Sequence, residues 1–237
     1  MKNIIILSFY VGLMLLKNKM SVTLIIIIVT VIVSIFAFRS QKVMDDLIFY
    51  PAAITEKNQL YRFISYGFIH ADLSHLFFNM YAFYLFGGAC ENSFINIFGN
   101  YGKTYYLLMY FLALIACVIP DFNKYKTNPD YRSLGASGAV SAVVFAYILF
   151  QPLQGIGLLF IPIFIPGFLF GIIFLVVSYF LGKKGGSRIN HSAHIWGAIF
   201  GVVFLIIFSH FFSTYPLLDN FIAAVKNLDL RHIFTTY

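Results

Sequence analysis

Ser137 sits in SLGASGAV (residues 133–140), where a polar loop meets a long apolar run. A serine hydroxyl is a weak nucleophile until a neighbouring base takes its proton. Such a base occurs further along the chain, where His194 heads the small-residue segment NHSAHIWGAIFG (190–201). A third segment, HADLSHLFFN, holds His70, His75 and Asn79, and the last two are one helical turn apart on a shared face. Acyl transfer needs a nucleophile, a base and two or three fixed donors for the developing oxyanion. His75, Asn79 and the Ser137 backbone N–H are available as those donors. No acidic residue lies in the apolar runs near these segments, because Glu91 closes one run and Asp72 precedes it. A Ser-His-Asp triad is therefore not available, whereas a Ser-His dyad is.

Each segment also has a plainer reading. Ser137 can be an N-cap, and His75 and Asn79 can be hydrogen-bonding glue between helices. A soluble hydrolase elbow reads G-x-S-x-G, and here the second glycine comes one residue early.

The elements that must position these residues are membrane helices. Hydrophobic residues make up 60% of the 237, charged residues only 11%, and the mean hydropathy is +0.85. Soluble domains are about 45–50% apolar. Runs at about 21–38, 73–90, 104–120, 135–151, 166–182 and 192–212 approach the ~20 residues that cross a bilayer. An all-α polytopic protein with six spans follows, with no soluble domain, internal repeat or low-complexity tract.

Ionisable groups inside spans are costly, which marks the three segments as functional candidates. Gly138, Ala142 and Ala146 form a small-residue stripe on one helix, and His194, Gly197, Ala198 and Gly201 form another. Two such faces pack closely, which brings the heads of the two helices, and hence Ser137 and His194, together.

The net charge of +7 is scattered over short loops, which points to membrane headgroups and not to nucleic acid. Cys90 and Cys117 lie in apolar runs and are read as packing residues. No metal or cofactor is expected: H-E-x-x-H is absent. A transporter would show inverted repeats or broken helices in corresponding halves.

The chain divides into a short apolar extension (1–20, with Met20 an alternative start), a membrane domain (21–212) and a C-terminal amphipathic tail (213–237). The longest loop, about 39–72, places LIFYPAAI in the interface. Residues 155–166, with two prolines, read as an interfacial loop. The glycine-rich, basic stretch 182–190 reads as a mobile lid, together with the fifth span.

Taken together, RFISYGFIHADLSHLFFN, GGACE (87–91), GASG (135–138) and AHIWGAIFG (193–201) resemble the rhomboid family of intramembrane serine proteases, over about 60–210. The likeness is to the bacterial branch with a six-helix core, and so implies a multi-pass protein of the bacterial inner (plasma) membrane. It implies Ser137 as nucleophile and His194 as general base and later acid, with His75 and Asn79 lining the oxyanion hole. Gly135 would keep that pocket open to backbone donors, and Gly138, Gly197 and Gly201 would support the close helix packing. Arg62 and Glu91 would be structural. Implied substrates are single-span membrane proteins cut in or near the bilayer. A catalytically inactive relative that binds transmembrane clients is the alternative. The chain departs from the family pattern at Ser141, where an aromatic ring often lies under the histidine, and at His191, often Asn. Family topology also puts more Lys and Arg outside than inside, against the positive-inside rule.

Overall fold

The computed structural model describes residues 21–158, 161–184 and 189–228. The expected 1–20 extension, residues 185–188 of the proposed lid and the end of the tail lie outside these residues. The helices are α1 (Val22–Arg39), α2 (Leu73–Phe98), α3 (Gly102–Ala116), α4 (Ile119–Tyr125), α5 (Ser137–Phe150), α6 (Gly167–Lys184), α7 (His191–Phe212) and α8 (Leu217–Lys226), with short helical turns between α1 and α2.

Among the described residues, four apolar helical stretches are long enough to cross a membrane: Val22–Arg39, Leu73–Tyr125, Gly167–Lys184 and His191–Phe212. The second is broken at Gly99, whose φ of +56° glycine tolerates, and α2 packs against α3. The remaining span, α5, has only 14 residues. It rises about 21 Å against roughly 30 Å of hydrocarbon. Its place explains its length: α5 is packed by α2, α3, α6 and α7 and is buried almost throughout. A helix sheathed in protein need not match the bilayer, and a short one leaves room at its ends for water.

α1 is built inside-out relative to a soluble protein. α1 buries Thr23, Ile26, Thr30, Ser34 and Ala37 and exposes Ile25, Ile28, Ile32 and Phe36. Lipid is as apolar as leucine, so on this helix mostly small and polar groups make the interior contacts. Glu91 of α2 caps α1: its carboxylate accepts from the N–H of Val22 (2.9 Å) and Thr23 (3.0 Å) and from the Ser21 hydroxyl (2.6 Å). A negative group at a helix N-terminus satisfies orphan donors and complements the dipole.

Arg62 organises the long loop. Its guanidinium donates to the carbonyls of Asp45 (2.8 Å) and Ile48 (2.7 Å) and to Gln59 Oε1 (2.6 Å). This draws Phe49, Ala52, Ala53 and Ile54 into the protein core. The LIFYPAAI segment is therefore buried in protein and does not rest in the interface.

Two further expectations change. α2 runs eight residues past the predicted end, to Phe98. Residues 155–166 form a hairpin, Gly155–Leu158 (β1) against Ile161–Pro166 (β2), antiparallel. Its prolines argued for a loop, but both strands of a two-stranded sheet are edges, where a missing N–H is tolerated. Gly157 leaves space for the Phe164 ring, which an added Cβ would approach to 2.8 Å.

Candidate active site

Ser137 is the first helical residue of α5, and Ala136 occupies the N-cap without a side-chain bond. The plainer reading of Ser137 as an N-cap is thus excluded. Among the described residues the Ser137 hydroxyl has no hydrogen-bond partner, and the residue is half-buried. Its carbonyl accepts from Ser141 Oγ at 2.8 Å.

α7 packs along α5 with backbones in contact. A Cβ on Gly197 would overlap the Gly138 carbonyl, and one on Gly201 the Ala142 carbonyl. A Cβ on Gly138 would come within 3.2 Å of the Ala193 carbonyl. Gly138 follows Ser137 and Ala193 precedes His194, so the heads of the two helices meet at these residues. The His194 Nε2 is buried without a partner among the described residues, and no hydrogen bond joins it to Ser137. Such bonds are often long in unliganded enzymes.

The ring of His194 lies against Phe174 of α6, with centroids 5.8 Å apart and planes at 27°. The aromatic neighbour that Ser141 does not provide therefore comes from a different helix. Nothing in the local sequence around Phe174 marks it out among 29 phenylalanines.

His75 and Asn79 project from the first two turns of α2, which Asp72 caps through the His75 N–H (2.8 Å). His75 faces the loop before Ser137: a Cβ on Gly135 would sit 2.7 Å from Cε1 and 2.9 Å from Nε2 of the ring. Gly135 also has φ +110°, so both the backbone angle and the ring require glycine. His75 Nδ1 accepts, at 3.5 Å, from the Ala71 N–H, which assigns the ring proton to Nε2. Asn79 Nδ2 donates one hydrogen to the His75 carbonyl (3.0 Å), leaving its second free.

Beside them, His70 bridges α1 and the Ser137 loop. The Ala136 N–H points to its Nε2 (3.5 Å), its Nδ1 meets Ser34 Oγ (3.0 Å), and Ser34 donates to the Phe68 carbonyl (3.0 Å). Burial, with His75 adjacent, pushes the His70 pKa down to about 3, so the imidazole is neutral and can accept at Nε2 while donating at Nδ1.

An acidic residue just beyond the predicted third span lies close to the candidate site: Asp121 of α4 is buried. Its Oδ2 accepts from Asn190 Nδ2 (2.6 Å) and the Tyr131 hydroxyl (2.8 Å). Asn190 also donates to Ser133 Oγ (3.1 Å) and caps α7 by accepting from the Ala193 N–H (3.0 Å). Burial and the neighbouring Asp121 push the Tyr131 phenol upward, which keeps it a donor. Asp121 thus anchors the helix end that carries His194 without touching the imidazole. Asp121 is 69 residues from Asn190, which is why proximity to the motifs in sequence did not reveal it.

His75 and the Asp121–Asn190 cluster border a cavity of about 900 Å³, lined also by Tyr131, Ser133, His191 and the C-terminal part of α6. His191 faces this cavity; it does not point outward into bulk water. Among the described residues no cluster of His, Cys, Asp or Glu has the form of a metal site.

The arrangement is that of a helical membrane protein with a polar cavity beside two meeting helix heads, and the chain is similar to known sequences. The rhomboid-domain family profile matches residues 57–211. Rhomboid protease GlpG of Haemophilus influenzae is 29% identical over 103 residues, 42% of this chain and 48% of that protein. The mitochondrial RHOMBOID-like protein 12 of Arabidopsis thaliana is 27% identical over 158 residues, 60% of this chain and 45% of that protein. The matches span about half the length of these curated relatives. The profile covers well over half of the chain and takes in α2 through α7 and every site residue named above; this integral, multi-pass membrane protein belongs to the rhomboid family.

Proposed function

We propose that the chain is an intramembrane serine endopeptidase that cuts single-span membrane proteins in or near the bilayer. The observation that carries this reading is the α5–α7 contact at Gly138 and Ala193, beside which a Ser137 hydroxyl and a His194 Nε2, both unpartnered among the described residues, stand on adjoining helix heads. Ser137 Oγ attacks the scissile carbonyl while His194 Nε2 takes its proton. The oxyanion rests on His75 Nε2–H, the second hydrogen of Asn79 Nδ2 and the Ser137 N–H, donors that need no reorganisation. His194 then protonates the leaving amine, and water from the cavity, activated by the same imidazole, releases the acyl group and restores Ser137. Phe174 and the Asp121–Asn190 pair act as positioning residues for His194.

A membrane-spanning substrate has its backbone bonds satisfied internally, so it must unwind before attack. Helix-weakening residues near the cleavage point, such as Gly, favour that step. We place the protein in a bacterial inner membrane; the plant relative's mitochondrial designation makes an organellar membrane the other candidate.

The test is cleavage of a single-span substrate in liposomes by wild type, Ser137→Ala and His194→Ala. Wild type should cut, and each variant should lose at least about 10⁴-fold in rate with its melting temperature unchanged. Activity that survives Ser137→Ala sinks the mechanism. If wild type neither cuts nor reacts with a fluorophosphonate at Ser137, a client-binding relative without catalysis becomes the better reading.

A further inference from the structure

The cavity over the site has a charge character that peptide hydrolysis does not require. Its lining includes three basic side chains, Lys124, Arg132 and Lys183, from α4, the loop before α5 and the end of α6. Each is held against a tyrosine. The Arg132 guanidinium lies 3.2 Å from the Tyr50 ring centroid, and the ammonium groups of Lys124 and Lys183 lie 4.9 Å from the rings of Tyr125 and Tyr179. Arg132 is further fixed by donating to the carbonyls of Pro129 (2.7 Å) and Tyr131 (3.1 Å). Cations braced on aromatic faces lose less side-chain freedom when they meet an anion.

Among the described residues, the one acidic residue in the lining is Asp121, whose Oδ2 is already taken by Asn190 and Tyr131. His191, 8% exposed, adds a buried Nδ1 without a partner among the described residues. The same cavity is lined by His75, which packs on Gly135 two residues before Ser137. An unwound substrate segment lying across His75 on its way to Ser137 would meet this basic rim.

We propose that the rim is a binding subsite for an acidic side chain, Asp or Glu, in the juxtamembrane segment of the substrate next to the cleavage point. The assignment rests on the protease reading for its catalytic meaning but makes a separate claim about binding. It also accounts for basic residues gathered around one cavity from α4, the loop before α5 and the end of α6, an arrangement that the positive-inside bias does not explain. A bilayer phosphate offers similar chemistry, but the three cations share a cavity with His75 of the candidate site, which favours the substrate chain.

The experiment uses the full chain in phosphatidylcholine vesicles with two substrates that differ only by Glu or Gln in the juxtamembrane segment. Wild type should cut the Glu substrate about fivefold faster, a ratio typical of one partly screened ion pair. The combined variant Lys124→Gln, Arg132→Gln, Lys183→Gln should cut both at the wild-type rate for Gln, and 0.5 M salt should shrink the wild-type preference. Binding of both substrates to Ser137→Ala, read by fluorescence anisotropy, should show the same Glu preference. Equal handling of the two substrates in both assays overturns the subsite while leaving the protease reading intact. A Glu preference in binding with no cleavage by wild type retains the subsite and removes the protease reading. A rate loss on both substrates only in vesicles containing phosphatidylglycerol assigns the cations to the bilayer and overturns the proposal.

Discussion

α6 and α7 both flank α5, and they hold it in opposite ways. α7 buries Gly197, Ala198, Gly201, Phe204 and Leu205, and its glycines rest on the α5 backbone itself. α6 buries only Gly167, Gly171 and Ser178, and Gly171 meets α5 through side chains, with Phe145 and Ile148 at 3.3 and 3.4 Å from a built Cβ. A backbone wall cannot yield, whereas a phenylalanine ring and an isoleucine tip can turn aside. The candidate nucleophile and base stand on the rigid pair. Of these two helices, which both line the cavity, α6 is the loosely held one.

The largest test of this difference is a matched pair of substitutions. Gly197→Leu should cost about 3 kcal/mol or more and abolish folded protein in detergent, because the opposing carbonyl has nowhere to go. Gly171→Leu should cost about 1 kcal/mol or less, read as a small shift in melting temperature. Equal losses would break the comparison.

Asp121→Ala probes the rigid side from its anchor. It leaves the Asn190 amide and Tyr131 hydroxyl without their shared acceptor, a loss of about 1–3 kcal/mol by thermal or denaturant melting. Asp121→Asn keeps an acceptor oxygen and should retain more of both stability and kcat. If Asp121→Ala leaves kcat untouched while stability falls, the anchor does not position His194.

Phe174→Leu gives the smallest expected effect. It removes the ring from His194 but keeps an apolar side chain on the loose helix. A drop of about three- to tenfold in kcat is expected, with KM nearly constant and stability within ~1 kcal/mol. Phe174→Tyr should restore the rate. An effect confined to KM would mean that Phe174 meets the substrate and not the histidine.

Much of this architecture was legible in the chain because lipid is an unforgiving solvent. Apolar runs announce spans, and polar residues inside them are too costly to be accidental, which is how Ser137, His75, Asn79 and His194 stood out. The small-residue stripes of α5 and α7 were readable for the same reason, since glycine at helical spacing has few uses in a membrane other than close approach. Boundaries were less legible: α2 continues to Phe98 past Glu91, because that charge is consumed by the N-terminus of α1.

Periodicity and residue type thus determine the helices, their small faces and the reactive candidates, since these depend on neighbours three or four positions away. Asp121 on Asn190, Phe174 on His194 and the basic rim around the cavity join residues tens of positions apart, from elements whose own patterns look ordinary. An aspartate at the foot of a short helix and one phenylalanine among 29 carry no local signal. Their roles arise when α4, α6 and α7 converge on the head of α5, because hydrogen bonds and ring contacts act over a few ångströms of space whatever the separation along the chain.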